Sequence, residues 1–424
     1  MAQRNLLLST PWWLGFFLTA NLYLVPSAEN SPRSTDLLAV FLGIWLLLRA
    51  HRRGLSVAPL AAIAAANLLP LYWLFVSFLG RDMGTLAQMA RWILAIPWAI
   101  ALVEILRSDV SKHRFLWGLI IGCAVNIGVV GLQYAGVEAL LRPLGIAAAD
   151  TDVQRWYGQS VRFSGLHRHY GASSAVASLI VPATLVLFVQ GKRGWWLPML
   201  SLVALAVMLH LTFTRSPLVV SLLCVVLTLL SSRKIARSLP FAFALVAVGI
   251  PALLLYGPPG GNVRWQDTSS TGANVGERAT SNRVALELII ENPLGLGVSN
   301  GHKRLLDESA IGATHNAFLQ AGLYIGAPLA LALLIALLHH MWGLVHGAAR
   351  PHYWTAIFGT QLVGLFAFEE HLNNPTFVIL ASWLLALSAS RLFGRRVVKP
   401  ERSGADSWTD SPMQMPTRSH PAGP

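Results

Sequence analysis

The chain has 424 residues, of which 54% are hydrophobic and only 12% are charged. Soluble globular proteins carry about 25% charged residues, so this composition excludes an ordinary soluble domain and indicates a protein built for lipid. The net charge of +13 could suggest a nucleic-acid-binding protein. The basic residues are instead spread between apolar runs, which argues against nucleic acid as a partner.

Apolar runs recur along the chain, and a spanning helix needs roughly 20 apolar residues. The sequence therefore predicts an all-α polytopic membrane protein with about 12 transmembrane helices. The predicted spans lie near residues 7–26, 36–50, 58–79, 86–106, 115–137, 171–190, 195–213, 217–231, 239–256, 315–345, 352–369 and 375–391. The first run lacks a small-residue cleavage site, so it is interpreted as a retained helix.

Basic clusters follow the even-numbered spans, as in RAHRRG (49–54) and SSRKIARS (231–238). This alternation is typical of the positive-inside rule and predicts that both termini are cytoplasmic. Two outward connections, at about 138–170 and 257–314, are long enough to suggest a function. The predicted organisation is a transmembrane domain over residues 1–396, including both loops, and a disordered cytoplasmic tail over 397–424.

The second long loop contains a predicted short helix. Thr280 or Ser281 is expected to cap it, and it must stop before Pro293. On this helix Arg283, Glu287 and Glu291 recur every four residues, so they are expected to share one polar face.

Three outward helix starts carry basic or imidazole side chains. Ser216 and Pro217 predict a start directly after Arg215, and Thr314 predicts a start at His315. The segment that begins at Arg162 leads into the sixth span from the same side. Because helix N-termini favour anions, these starts together predict an outward-facing phosphate site.

His315 itself has three readings, namely a buried core histidine, a metal ligand or a base. Gly322 and Gly326 lie near the same helical line and predict a small-residue face for close helix packing. A metal is disfavoured because no second ligand stands three or four positions from His315. The pair His167 and His169 is read as a solvated loop rather than a metal site.

Four stretches together resemble the O-antigen ligase family of bacterial inner membranes, within the O-antigen ligase/polymerase superfamily. They are RFSGLHRHYGASSA (162–175), TRSPLVVSLL (214–223), SNRVALELIIENPLGLGVSN (281–300) and THNAFLQAGLYIGAPLALALL (314–334). One departure is GLHRHYGA, where relatives often carry Pro-Asn before the helix. The resemblance implies a large periplasmic loop between spans 9 and 10 and a site that faces the periplasm of a Gram-negative bacterium.

The implied reaction moves O-antigen polysaccharide from undecaprenyl pyrophosphate onto the lipid A–core oligosaccharide, which completes lipopolysaccharide. The implied roles are general base for His315, orientation for Asn316, and pyrophosphate binding for Arg215, Arg283 and Arg162. Arginine forks bind phosphate oxygens, and an imidazole suits proton abstraction near neutral pH. No cofactor and no metal are expected, and direct attack would invert the anomeric carbon.

Other functions stay open at this point. An O-antigen polymerase or a protein O-oligosaccharyltransferase of the same superfamily differs only in the acceptor. A lipid or solute transporter has a similar number of spans, but transporters commonly have internal repeats and midplane sites, and neither is evident in the sequence.

Overall fold

The structure is a computed structural model, and it describes residues 9–24, 32–53, 68, 71–72, 75, 79, 82–137, 141, 163–167, 169–212, 214–231, 268–309, 313–345, 353–368, 371–372 and 374–394. Helices dominate these residues. In chain order they are α1 Thr10–Ala20, α2 Ser34–Arg53, α3 Met83–Ile105, α4 Asp109–Tyr134, α5 Tyr170–Ser178, α6 Ile180–Val189, α7 Trp196–Thr212, α8 Ser216–Ser231, α9 Thr268–Glu291, α10 Val298–Ser309, α11 Ala317–Ile325, α12 Ala327–Val345, α13 Tyr353–Phe368 and α14 Pro375–Gly394.

The protein is a helical membrane protein. Within the described residues, five stretches are long and apolar enough to cross a membrane, namely 34–51, 88–105, 109–134, 170–189 and 327–344. Four further apolar helices, within 196–212, 216–231, 353–368 and 375–389, are shorter. The ninth predicted span (239–256), most of the third (58–79), Arg162 and the tail at 397–424 lie outside the described residues.

Helices α1 and α4 meet along a seam where glycines bring the two backbones close together. A Cβ atom at Gly15 would strike the backbone of Phe115 and Leu119, and a Cβ at Gly118 would strike the backbone of Trp12. Small residues let backbones approach closely in membranes, where packing rather than the hydrophobic effect drives association. This seam fixes the first helix against the bundle.

Helices α8 and α13 pack antiparallel around one glutamine. Gln361 Nε2 donates to Ser178 Oγ at 2.9 Å and to Ser221 Oγ at 3.1 Å, which joins α5, α8 and α13. Further along the pair, Cys224 Sγ donates to the carbonyl of Ile357. The hydrogen bonds of Gln361 therefore show which residues of α5, α8 and α13 lie at the same position along the bundle axis.

Two predicted spans are broken helices. The span at 171–190 divides into α5 and α6, because Pro182 has no N–H to donate to the carbonyl of Ser178. The span at 315–345 was predicted as one helix, and that prediction is wrong. It divides at Gly326, whose φ of 112° ends α11 before α12 begins.

The second long loop holds more helix than expected. Helix α9 begins at Thr268 rather than at Thr280 or Ser281, and it ends at Glu291, before Pro293 as predicted. A second loop helix, α10, was not predicted at all. The large loop thus carries a helix–turn–helix unit that packs on the bundle.

Candidate functional site at the start of helix α11

His315 precedes α11 in an uncommon backbone conformation. Its φ is 49°, in the left-handed region, where histidine is enriched relative to most residues that have a side chain. The cap of α11 is Asn316 and not the predicted Thr314. Asn316 Oδ1 accepts from the N–H groups of Phe318 at 2.9 Å and Leu319 at 3.1 Å. His315 is therefore held just outside the helix.

Asn316 also ties this helix start to the end of α13. Its Nδ2 donates to the carbonyl of Ala367 at 3.3 Å, while Phe318 packs edge-on against Phe366. Both polar atoms of the Asn316 side chain thus have partners within the protein. The geometry makes Asn316 a residue that orients the backbone of His315.

The positive charge of Arg278, on α9, acts on His315. Burial, together with the positive charge of Arg278, lowers the pKa of His315 to about 4. A histidine with this pKa is neutral at pH 7, so its free ring nitrogen can accept a proton. The same arrangement brings a guanidinium group to the neighbourhood of that base.

The orientation of α9 explains why Arg278, rather than Arg283, lies on this side. Ser281 and Ala285 are buried on the packed face, and Ser281 Oγ donates to the carbonyl of Ala313 at 2.6 Å. Arg283 lies about 140° around the helix from Arg278. It pairs with Glu287 at 2.9 Å, and 81% of its side chain is exposed.

Arg215 lies at the start of α8, where its carbonyl accepts from the N–H groups of Leu218 and Val219. Helix α8 begins at Ser216, so Arg215 occupies the cap position that was predicted for Ser216. Arg215 precedes Ser221 by six residues, and Ala367 follows Gln361 by six. Ser221 and Gln361 are hydrogen-bonded to each other. Arg215 and Ala367 therefore each lie about 9 Å along the helix axis from that hydrogen bond, in the same direction. Arg215 and the Ala367–Asn316 contact are therefore at the same end of the bundle.

Two other histidines at this end are placed by hydrogen bonding. His167 was read as part of a solvated loop, and that reading is wrong, because its ring is buried and its Nε2 lies 3.1 Å from the carbonyl oxygen of Thr19. His169 Nδ1 accepts from the N–H of Ala172 and caps α5. Among the residues that the structure describes, no three metal-ligating side chains form a group.

Gly322 and Gly326 both face the loop unit, which consists of α9, α10 and the turn between them. A Cβ at Gly322 would meet the Ile289 side chain of α9 at 2.9 Å. A Cβ at Gly326 would lie 2.8 Å from the carbonyl carbon of Leu294 and 2.9 Å from the oxygen of Pro293. The glycines thus allow the turn after α9 to sit against the break between α11 and α12.

Sequence reasoning found most of the residues at this site but missed Arg278. The residues that the structure brings to one end are His315, Asn316, Arg278 and Arg215. Arg283 is directed elsewhere, and Arg162 lies outside the described residues. A helix start placed at residue 280 left Arg278 in a loop, whereas counting back from the apolar positions 285, 288 and 289 would have placed it on the packed face.

Residues 200–334 match the sequence profile of a known family, described as O-antigen ligase. The chain is similar to this family over that segment. The match confirms the expected family resemblance and contains Arg215, Arg278 and His315. No curated protein matches the chain. The O-antigen ligase family belongs to a ligase/polymerase superfamily of membrane proteins that act on lipid-linked polysaccharides.

Proposed function

We propose that the protein is an O-antigen ligase that transfers polysaccharide from undecaprenyl pyrophosphate to the lipid A–core oligosaccharide. The observation that carries the proposal is the place of His315 at the capped start of α11, beside α9 with Arg278, inside the segment that matches the family. The proposed location is the inner membrane of a Gram-negative bacterium, with both termini cytoplasmic and this end of the bundle facing the periplasm.

In the proposed reaction the acceptor hydroxyl oxygen attacks the anomeric carbon of the donor sugar. Its proton moves to the free ring nitrogen of His315 as the new C–O bond forms. The bond between the anomeric carbon and the phosphate oxygen breaks, and its electron pair leaves with undecaprenyl pyrophosphate. Attack from the face opposite the leaving group inverts the configuration of the anomeric carbon.

The proposed role of Arg278 and Arg215 is to bind the departing pyrophosphate. A guanidinium group donates two parallel hydrogen bonds to phosphate oxygens, and charge-assisted bonds of this kind are the stronger ones. We assign to Arg278 the pyrophosphate-binding role that the family resemblance implied for Arg283. The ion pair of Arg283 with Glu287 and its outward direction support this change.

The test is transfer in vitro with purified protein, undecaprenyl-pyrophosphate-linked glycan and lipid A–core acceptor. His315→Ala should lower the rate by about 10²–10⁴-fold, the usual contribution of a general base. His302→Ala is the matched control, because His302 is an exposed histidine on α10. Full activity of His315→Ala would refute the base assignment.

The acceptor is distinguished by the product. Glycan joined to lipid A–core supports a ligase, whereas longer glycan on undecaprenyl pyrophosphate supports a polymerase, and glycan on added protein supports a protein O-oligosaccharyltransferase. Movement of labelled donor across a vesicle membrane without transfer would support a transporter. The proposal expects only the first product and expects the rate to be unchanged by EDTA.

A further inference from the structure

The carboxylate of Asp82 joins two distant parts of the chain. It caps α3, where Oδ1 accepts from the N–H of Thr85 at 3.1 Å and Oδ2 accepts from the Thr85 hydroxyl at 2.8 Å. It also accepts from Ser299, through the N–H at 2.8 Å and the hydroxyl at 2.5 Å. Val298 N–H donates to the Thr85 hydroxyl oxygen at 2.7 Å. One acidic side chain thus caps both α3 and α10.

The surroundings of Asp82 suit a negative charge. Two helix N-termini point their N–H groups and their positive dipole ends at the same carboxylate. Burial alone would raise the pKa of Asp82, but the hydrogen bonds from Ser299 and Thr85 lower it below its ordinary value. Gly297 lets the carboxylate approach, because its φ is 80° and a Cβ there would lie 2.8 Å from Asp82 Oδ2.

A short series of backbone bonds connects this cap to α11. The N–H of Leu296 donates to the carbonyl of Leu323 at 2.8 Å, and the N–H of Gly297 donates to that of Tyr324 at 3.1 Å. These are the last carbonyls of a helix of only nine residues. His315 stands at the other end of that helix, so these bonds connect the start of α10 to the helix that His315 precedes.

The turn after α9 is held by the same contacts. Ala327 N–H donates to the carbonyl of Pro293 at 2.8 Å, which places the end of α9 against the break between α11 and α12. Arg278 is on α9, and His315 precedes α11. Both residues of the proposed site therefore depend on how the loop unit is seated on α3.

We propose that Asp82 is a positioning residue for the proposed transfer reaction: it holds the start of α10 on the start of α3 and thereby sets His315 against Arg278. This inference rests on the proposed function, because positioning has a catalytic meaning only if His315 is the base. Asp82 lies outside the segment that matches the family, and it is 217 positions from Ser299. It would thus link the ligase domain to the N-terminal part of the bundle.

The test compares Asp82→Asn with the unaltered protein. Asparagine keeps the shape but replaces one acceptor oxygen with a donor NH₂, which cannot accept from Thr85 or Ser299. We expect kcat for glycan transfer to fall at least tenfold, with KM for the lipid-linked donor nearly unchanged. Asp109→Asn is the matched control, since Asp109 is an exposed first-turn carboxylate of α4 that pairs with Lys112, and it should leave kcat unchanged.

A second readout does not depend on catalysis. The His315 ring can be titrated by NMR in protein that carries ¹³C-labelled histidine, with its signal assigned from its loss in His315→Ala. Among the described residues, Arg278 on α9 is the charged group whose charge lowers the pKa of this ring, in addition to burial. Asp82→Asn should raise the pKa of His315 from about 4 by one pH unit or more, as α9 and α11 move apart.

The outcomes separate the two proposals. An unchanged His315 pKa in folded Asp82→Asn protein, or a kcat equal to that of the control, refutes the positioning role. Activity of His315→Ala equal to that of the unaltered protein refutes the proposed base whatever Asp82 does. If Asp82→Asn does not fold, Ser299→Ala removes only the hydroxyl donor and should give a smaller change in the same direction. Its failure to change kcat or the His315 pKa also refutes the proposal.

Discussion

Replacement of Gly326 by alanine tests whether the helix break is a rigid joint. Gly326 has φ 112° and ψ 151°, a combination that is available essentially only to glycine. Forcing a residue with a side chain into such a region costs about 1–3 kcal/mol. The break must therefore resist this substitution even before packing is considered.

Packing adds a second cost at the same position. The new Cβ would lie 2.8 Å from the carbonyl carbon of Leu294 and 2.9 Å from the oxygens of Leu294 and Pro293. These are backbone atoms, which cannot rotate away as a flexible side chain would. Overpacking of this kind costs about 1–3 kcal/mol, so Gly326→Ala should destabilise the protein by about 2–6 kcal/mol in total.

The measurement is denaturant unfolding in detergent, followed by the fluorescence of the 15 tryptophans. Gly128→Ala is the control, because Gly128 lies within α4 and a Cβ there meets no atom within 4 Å. It should be neutral or stabilising by up to about 1 kcal/mol, as for glycine in a helix interior. If Gly326→Ala were as stable as the control and fully active, the break would not be a rigid joint.

The remaining predictions concern charge and the bundle core. A pKa of about 4 for His315 leaves about 90% of it neutral at pH 5, against about 3% for an ordinary histidine. Transfer should therefore persist at pH 5 and fall to about half near pH 4, and a rate that already halves near pH 6.5 would contradict this. Because this pKa is lower folded than unfolded, the His315 contribution to stability is present above pH 6.5 and is lost as the pH falls towards 4, which thermal unfolding against pH will show. Arg278→Gln should lower kcat at least tenfold and Arg283→Gln less than twofold; the reverse order would restore Arg283 to the site. Gln361→Met removes two interhelical hydrogen bonds and should destabilise by about 1 kcal/mol in denaturant unfolding, while an unchanged midpoint would show that these bonds contribute nothing.

Much of the fold could be predicted because lipid imposes simple rules. Apolar runs bounded by charge predicted spans at 86–106, 115–137, 217–231 and 375–391. These lie close to the observed helices at 83–105, 109–134, 216–231 and 375–394. The broken helix at Gly326 could not be predicted in this way. Two glycines four residues apart, Gly322 and Gly326, are typical of a packing face on a continuous helix. The same pattern is equally compatible with a helix that ends at Gly326. What decides is the turn at Pro293–Gly297, which is remote in sequence.

The site was predictable where a local signal existed and not where a tertiary contact decided. Pro217 marks the start of α8, so Arg215 was placed correctly at its head. Arg278 was missed because Thr280 and Ser281 imitate a helix cap, although α9 had already begun at Thr268. The contact of Asp82 with Ser299 has no local pattern, since the two residues are 217 positions apart in the sequence.

The glycine seam between α1 and α4 also controls rotation. Turning α1 by one residue, about 100°, would bring Leu14 or Phe16 to the position where only Gly15 fits against α4. The seam therefore admits a single angular setting of α1. That setting aims the Thr19 carbonyl at His167, which lies three residues before α5 begins. An inserted or deleted residue within α1 would rotate the Thr19 carbonyl away from His167 and misplace the start of α5. The number of residues in α1 is therefore constrained mainly by the rotation of the helix about its axis.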